Sequence, residues 1–232
     1  MNGPPRMDGI EACVFDAYGT LFDFNSAVAR CRDEIGDRAD RLSEVWRQKQ
    51  LQYTWLRSLM GVHADFWQVT GEALDFALAA VGLEQPELRR RLMELYEELD
   101  PYDEVEDVLR RLRAAGTRNA ILSNGAPRML SAAVRSAGLD GLLEMVLSVE
   151  DVGVYKPDPR VYQLAVDRLG VRARSICFLS SNAWDAVGAA SFGFRVVWVN
   201  RFGQPRERLP AEPDAETTSL AELPELLGLT SE

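Results

Sequence analysis

The sequence lacks the features that mark chains which cross membranes or bind nucleic acids. It contains no apolar run of the roughly 18 residues that a membrane-spanning helix needs. It also has no basic tract, and 36 acidic side chains outnumber 26 Lys and Arg, for a formal net charge of -10 at pH 7. No nucleic-acid partner is therefore expected. Because residues 1–8 contain no apolar signal core, no export signal is expected either.

Histidine and cysteine are scarce, which argues against a thiol nucleophile. The single histidine, His63, lies in a polar, helix-like stretch and is assigned no role. The 3 cysteines are an odd number, and Cys13 and Cys177 fall within apolar, strand-like runs. We expect these cysteines to remain reduced thiols in a reducing compartment, where they serve as small, buried hydrophobic side chains. A cytoplasmic protein is therefore predicted.

The remaining composition is that of an ordinary globular protein. Hydrophobic residues make up 47% and charged residues 27% of 232 residues, which is enough for one large domain with a substantial core. The negative net charge repels small anions at long range. A site for an anionic substrate must therefore be built locally from a few positioned cations.

Strand-like and helix-like patterns alternate over most of the chain. Apolar runs at 10–15, 119–123, 145–149, 175–180 and 195–199 predict strands, and helical patterns occupy 104–115, 127–137, 159–169 and 183–192. A short strand and a helix near 220–227 are expected at the end of the chain. Alternation of this kind predicts an α/β fold, a Rossmann-like doubly wound parallel sheet.

The stretch from about residue 24 to residue 99 breaks this alternation. It has helical periodicity throughout, as at Val45, Leu51 and Trp55, and contains no convincing strand. An all-helical cap domain inserted after the first strand is the simplest interpretation. The predicted division is a core domain at 1–22 and 100–232 and a cap domain at 23–99.

Polar side chains stand where four of the predicted strands end. They are Asp16 and Thr20 after the first, Ser123 and Asn124 after the second, Lys156 after the third, and Ser180, Asn182 and Asp185 after the fourth. Each signal alone also fits an ordinary turn. Parallel sheets bind ligands beyond the carboxyl ends of their strands, so four such signals at one edge predict an active site.

On these motifs the chain resembles the haloacid dehalogenase superfamily, and within it the L-2-haloacid dehalogenase (type II) branch. The resemblance covers 10–202 and rests on Asp-Ala-Tyr-Gly-Thr-Leu-Phe at 16–22, Trp-Arg-Gln-Lys-Gln-Leu at 46–51, Leu-Ser-Asn-Gly at 122–125, Tyr-Lys-Pro at 155–157 and Ser-Ser-Asn-Ala-Trp-Asp at 180–185. It implies a hydrolase that converts (S)-2-haloalkanoic acids to (R)-2-hydroxyalkanoic acids. No metal or other cofactor is implied.

The resemblance also implies a role for each matched residue. Asp16 would displace halide from C2 and form an aspartyl ester, which water would then hydrolyse. Lys156 and Thr20 would keep Asp16 ionised, while Arg47 with Asn124 would accept the halide. Ser123 with main-chain amides near Ala17 and Tyr18 would hold the substrate carboxylate. Asn182 and Asp185 would position the water and Lys156, with Ser180 and Tyr162 at supporting polar positions. The residues implied around the alkyl group are Tyr18, Gln48, Leu51, Phe66 and Trp184.

Structural interpretations of several of these residues stay open at this point. Arg47 fits the solvated face of an amphipathic helix, and Leu51, Phe66 and Trp184 fit core positions. Tyr162 and Ser180 fit supporting hydrogen bonds. The family is commonly dimeric, and an apolar helix face around Leu51, Trp55, Leu56 and Leu59 would suit a homodimer.

Two other functions compete with dehalogenation. A magnesium-dependent phosphatase of the same superfamily would carry an aspartate two residues after the nucleophile, where this chain has Tyr18, and an acidic pair after the fourth strand. Halide needs no proton to leave, whereas a phosphate-ester leaving group does. A non-catalytic binding protein is the second alternative. The intact set of matched positions favours the dehalogenase.

Overall fold

Six parallel strands form the centre of the molecule. The structure, a computed structural model, describes residues 6–229. The outermost residues of the predicted core domain lie outside this range, and so does most of the 1–8 stretch in which no export signal is expected. The sheet has the order β3-β2-β1-β4-β5-β6. Its strands are β1 (Ala12–Phe15), β2 (Arg118–Ser123), β3 (Met145–Ser148), β4 (Ile176–Ser180), β5 (Arg195–Val199) and β6 (Ala215–Thr217).

Strand β1 lies in the middle of this sheet and is buried along its whole length. Its last residue, Phe15, is in register with Ile121 of β2 and with Leu179 of β4. The chain adds β2 and β3 on one side of β1 and then places β4 on the other side. The carboxyl ends of β1 and β4 therefore meet at a topological switch point, where parallel sheets bind their ligands.

Helices connect the later strands as the sequence predicts. They are α6 (Val105–Ala114), α7 (Pro127–Ser136), α8 (Pro159–Leu169), α9 (Ala183–Phe192) and the short α10 (Leu223–Leu226). The predicted third strand is one residue too long, because the Ser148 hydroxyl accepts the N–H of Glu150 and turns the chain into a 3-10 helix at Val149–Asp151. The α/β fold with a parallel sheet is confirmed.

The inserted segment is helical, as predicted. It contains α1 (Ser26–Ala29), α2 (Arg32–Ile35), α3 (Ala39–Met60), α4 (Phe66–Val81) and α5 (Pro86–Tyr96), and α3 packs along α4. Helix α3 ends because Gly61 adopts the left-handed conformation. His63 therefore lies in a loop, and its predicted helical setting is wrong.

The two chain segments that connect the helical insertion to the sheet run side by side. The N–H of Asp23 donates to the carbonyl of Asp100 at 2.8 Å, and the N–H of Tyr102 donates to the carbonyl of Leu21 at 3.0 Å. Both connections thus leave the sheet at one place, close to Asp16. The division into core and cap at residues 22/23 and 99/100 stays a prediction.

The cysteines are free thiols in buried positions. Cys13 and Cys177 are register partners on β1 and β4, and Cys31 lies in the insertion. A hydrogen bond with Cys177 and burial raise the pKa of Cys13. Among residues 6–229, no helix combines the length and the apolar character that crossing a membrane requires.

Helix α9 approaches its neighbours most closely at Gly188. A Cβ atom there would lie 2.6 Å from the hydroxyl oxygen of Tyr162 and 2.7 Å from Cβ of Pro157. Only a residue without a side chain allows this approach, which brings α9 against α8 and against the loop that carries Lys156.

Gly188→Ala is expected to lower the free energy of unfolding by about 1–3 kcal/mol, because overpacking at a close contact outweighs the helix propensity of alanine. Urea unfolding measures this change. Ser191→Ala, at an exposed position of the same helix, is the matched control and should change stability by less than about 0.5 kcal/mol. A Gly188→Ala protein as stable as the parent would contradict this packing.

Candidate active site

A buried lysine between two carboxylates forms the centre of the site. The ammonium of Lys156 donates to Oδ1 of Asp16 at 3.1 Å and to Oδ2 of Asp185 at 2.8 Å. Asp16 follows β1, Asp185 lies in the first turn of α9, and Lys156 follows the 3-10 turn after β3. Lys156 and Asp185 are almost fully buried, whereas Asp16 keeps 6% of its surface exposed.

The charge of this lysine is maintained by its neighbours. Burial opposes the ammonium, but Asp16 and Asp185 outweigh it and raise the pKa of Lys156. Burial raises the pKa of Asp185, while Lys156 acts in the opposite direction. The hydroxyl of Tyr162 donates to Oδ1 of Asp185 at 2.8 Å. Asp185 is therefore held by Tyr162 and Lys156, and only Asp16 has an edge open to a ligand.

The second oxygen of Asp16 faces donors from the loop after β4 and from the loop after β1. Nδ2 of Asn182 donates to Oδ2 of Asp16 at 2.8 Å. The hydroxyl of Thr20 is at 3.5 Å from the same oxygen, and it also accepts the N–H of Ser181 at 2.8 Å. Thr20 thus ties the loop after β1 to the loop after β4, and Asn182 with Lys156 fixes the orientation of the Asp16 carboxylate.

Arg47 reaches this carboxylate cluster from α3 of the helical insertion. Its Nη2 donates to Oδ1 of Asn182 at 3.0 Å and approaches the carbonyl of Tyr18 at 3.5 Å. Its Nη1 donates to Oε1 of Gln50 at 2.7 Å. The guanidinium also stands 4.9 Å from the ring centroid of Phe24. Asn182 therefore connects the predicted nucleophile of the sheet with the predicted halide-binding arginine of the insertion.

Three further predicted residues organise the loops around the site. Oγ of Ser123 accepts the N–H of Gly125 at 3.0 Å, and Oδ1 of Asn124 accepts the N–H of Lys156 at 3.1 Å. Oγ of Ser180 accepts the N–H of Asn182 at 3.2 Å. Ser123 and Asn124 lie at the end of β2 and thus at the same sheet edge as Asp16.

Aromatic side chains cover the site on the side of the insertion. The ring of Tyr18 lies 5.6 Å from that of Phe66 and 5.5 Å from that of Tyr96, and all three are buried. The ring of Trp184 packs edge-on against Trp55 at 5.3 Å. An apolar, water-poor wall therefore stands beside the carboxylates.

The remaining predicted pocket residues lie at different depths. Trp184 and Lys156 line a cavity of about 430 Å³. Ala17 is fully buried, and its carbonyl accepts the N–H of Leu21 at 2.9 Å within the tight turn after β1. Leu51 is half-buried on α3, whereas Gln48 is exposed and lines an outer cleft of about 670 Å³ beside Arg47. Gln48 therefore lies on the solvent side of the arginine.

Sequence reasoning missed Gln50, which contacts Arg47, and Ser181, which contacts Thr20. Gln50 stands three residues after Arg47, so the helical repeat places both side chains on neighbouring positions of one face. That spacing was a usable signal. Nothing in the local sequence distinguishes Ser181 from its neighbour Ser180.

No group of three His, Cys, Asp or Glu side chains suited to a metal ion occurs within residues 6–229. The two acids of the site both bind the ammonium of Lys156, which occupies the place between them. The absence of a metal and of any other cofactor stays a prediction.

Comparison with known proteins relates the chain to one family. Residues 10–193 match the model of the haloacid dehalogenase-like hydrolases. The chain is 52% identical over 222 residues to (S)-2-haloacid dehalogenase 1 of Pseudomonas sp. (strain CBS-3), covering 95% of this chain and 98% of that one.

Two similar solved structures are described as complexes, one with an intermediate and one with covalently bound chloropropionic acid. A dehalogenase with an intermediate complex is 51% identical, with a TM-score of 0.93 over 95% of this chain and 98% of that one. The L-2-haloacid dehalogenase from Xanthobacter autotrophicus with chloropropionic acid covalently bound is 40% identical, with a TM-score of 0.88 over 96% of this chain and 100% of that one.

Lys156→Met is expected to destabilise the protein by about 3–5 kcal/mol near neutral pH, because it leaves two buried carboxylates without a cation. Burial already raises the pKa of Asp185, and the loss of the ammonium raises it further. A carboxyl with a raised folded-state pKa destabilises the fold increasingly as the pH rises from its unfolded-state pKa to its folded-state pKa, and protonation relieves the cost as the pH falls. The deficit should therefore be smaller at pH 4.5 than at pH 7 in urea unfolding.

The matched control is Lys49→Met at the other lysine of the chain, which lies on α3 near the rings of Tyr53 and Phe76. The Lys49→Met substitution should lower the free energy of unfolding by no more than about 1 kcal/mol, and this change should be independent of pH. A Lys156→Met deficit of equal size at both pH values would contradict the described charge arrangement.

Proposed function

Because this chain belongs to the haloacid dehalogenase-like hydrolases, in the L-2-haloacid dehalogenase branch, we propose that it converts (S)-2-haloalkanoic acids to (R)-2-hydroxyalkanoic acids and halide. Similarity to (S)-2-haloacid dehalogenase over nearly the whole of both chains supports this substrate class. The observation that carries the proposal is the Asp16 carboxylate at the switch point of the sheet, held by Lys156 and Asn182 beneath Arg47.

In the first step, an oxygen of Asp16 attacks C2 of the substrate in line with the carbon–halogen bond. A carbon–oxygen bond forms, the carbon–halogen bond breaks, and the halide leaves with the electron pair. Burial of Asp16 limits the water shell that would otherwise weaken this nucleophile. Arg47 with Asn124 receives the negative charge that develops on the halide.

In the second step, water attacks the carboxyl carbon of the aspartyl ester. The hydroxyacid leaves with an oxygen that belonged to Asp16 and with one proton of the water, the other proton is released to solvent, and the oxygen of water remains on the regenerated carboxylate. Inversion at C2 follows, because only the first step breaks a bond to that carbon. Asn182 and Asp185 position this water and Lys156, and Tyr162, Ser180 and Thr20 support them through the hydrogen bonds described above.

Substrate binding combines local polar groups with an apolar wall. Ser123 and main-chain amides near Ala17 and Tyr18 hold the substrate carboxylate at the end of β2 and β1. The alkyl group lies against Tyr18, Phe66, Leu51 and Trp184, whereas the exposed Gln48 faces the outer cleft beside Arg47. The cations Lys156 and Arg47 overcome, at short range, the repulsion expected from the net charge of -10.

The arrangement favours a metal-independent dehalogenase over a phosphatase. Burial raises the pKa of Tyr18, so the residue two positions after the nucleophile is a poor acid for a leaving alkoxide. Asp185, the second acid of the site, is bound to Lys156 and Tyr162.

The end of α3 presents apolar side chains that suit a second copy of the chain. Leu59 is 85% exposed and Met60 is 64% exposed, and Leu56 and Val62 lie beside them. We extend the proposal to a homodimer that covers this surface. The free, buried cysteines agree with a cytoplasmic location.

Incubation with racemic 2-chloropropionate in the presence of EDTA is expected to release chloride from one enantiomer only, so that release stops at half of the racemate. Asp16→Asn should abolish release, because an amide is a poor nucleophile for carbon. Asp140→Asn, at an exposed position, is the matched control and should leave the rate unchanged.

Magnesium-dependent phosphate release from p-nitrophenyl phosphate, without chloride release, would favour the phosphatase. Turnover of neither compound would favour a binding protein. Chloride release by Asp16→Asn at the parent rate would contradict the covalent route.

A further inference from the structure

We propose that Gln50 is a positioning residue that holds the guanidinium of Arg47 in place for halide departure, an assignment that rests on the proposed function. Its amide oxygen accepts Nη1 of Arg47 at 2.7 Å. Gln50 is only 1% exposed, although glutamine is a residue usually found at the surface. A buried amide of this kind needs partners for both of its ends.

The orientation of the Gln50 amide is fixed from the side opposite Arg47. Its Nε2 donates to Oγ1 of Thr70 at 2.8 Å and lies 3.1 Å from the hydroxyl of Tyr96. Oγ1 of Thr70 in turn donates to the carbonyl of Phe66 at 2.6 Å. Because the hydroxyl hydrogen of Thr70 is committed to that carbonyl, Thr70 can only accept from Gln50. The amide must therefore turn its oxygen toward Arg47.

Arginine offers donors only, so the acceptors that surround it decide how much of its charge remains available. The acceptors of Arg47 are the amide oxygens of Gln50 and Asn182 and the carbonyl of Tyr18, all of which are neutral. Other partly buried arginines are paired with carboxylates, as Arg201 is with Glu104 and Arg57 is with Glu72. Within residues 6–229, Arg47 forms no ion pair with a carboxylate.

Neutral acceptors therefore fix the geometry of the guanidinium without cancelling its positive charge. A carboxylate at position 50 would hold the group equally well but would remove its attraction for an anion. Arg47, held by the neutral oxygens of Gln50, Asn182 and Tyr18, is suited to bind a small, monovalent leaving group. Gln50 belongs to the halide-release step and has no contact with the Asp16 carboxylate whose ester is hydrolysed in the second step.

The test measures the two half-reactions separately for Gln50→Met, with enzyme in excess over (S)-2-chloropropionate. Chloride release should slow by about 10-fold to 100-fold, the effect expected from the loss of a hydrogen bond to a charged group. Hydrolysis of the aspartyl ester, followed as hydroxyacid formation after chloride release, should proceed at the parent rate. The KM for substrate should change little, because Gln50 does not hold the substrate carboxylate.

Three further variants complete the design. Gln50→Glu keeps an acceptor for Arg47 but adds a charge, so chloride release should slow and inhibition by added bromide should weaken. Tyr96→Phe removes a hydroxyl that lies near the Gln50 amide and also interacts with Arg47, and it should slow chloride release by about 3-fold while retaining the fold. Gln52→Met, at an exposed position of the same helix, is the matched control and should behave as the parent.

Arg47→Lys separates failure of this inference from failure of the proposed function. If the parent protein releases no chloride, the proposed function is overturned. If Arg47→Lys releases chloride at the parent rate, the halide role of Arg47 is overturned. A slow Arg47→Lys together with a Gln50→Met that releases chloride at the parent rate would overturn the assignment of Gln50. Equal slowing of both half-reactions in Gln50→Met and Tyr96→Phe would also overturn it, since a general structural defect has no preference for one step.

Discussion

The ion triad of Lys156, Asp16 and Asp185 is the interaction on which the rest of the site depends. Two carboxylates and one ammonium lie almost out of contact with water, and each would be costly to bury alone. The parallel sheet makes the arrangement possible, because β1, β3 and β4 deliver these residues or their loops to one edge. Tyr162 satisfies the outer oxygen of Asp185, so of the two carboxylates Asp16 is the one left with an open edge.

A buried carboxylate attacks carbon only if it is dry and still charged, and these two requirements oppose each other. The proposed mechanism relies for both on a small number of donors, namely Lys156 on one oxygen of Asp16 and Asn182 on the other. Asn182 also binds Arg47, so the same amide connects the nucleophile to the cation that would receive the leaving group. In this scaffold, positioned side chains supply the positive charge that a divalent ion would supply to a phosphatase.

Most of the fold and the polar residues at the strand ends could be predicted from local patterns, whereas Arg47 and Tyr162 entered the candidate site only through the family resemblance. The alternation of apolar runs with helical patterns indicated a parallel sheet, and a parallel sheet gathers strand ends such as Asp16 and Asn182 at one edge. Features that depend on packing between distant segments could not be predicted. Gln50 becomes important only because Thr70 and Tyr96 fold against it, and the 3-10 turn after β3 depends on a single hydroxyl, that of Ser148. His63 was misplaced because the left-handed Gly61 ends the helix before it.

One turnover in water enriched in ¹⁸O, with protein in excess over (S)-2-chloropropionate, tests most directly whether a protein carboxylate attacks the substrate. The account predicts hydroxyacid that carries no label at its hydroxyl oxygen, together with a peptide containing Asp16 that has gained one ¹⁸O atom. Label in the hydroxyl of the first product, with none in the peptide, would mean that water attacks C2 directly, and it would contradict the covalent route.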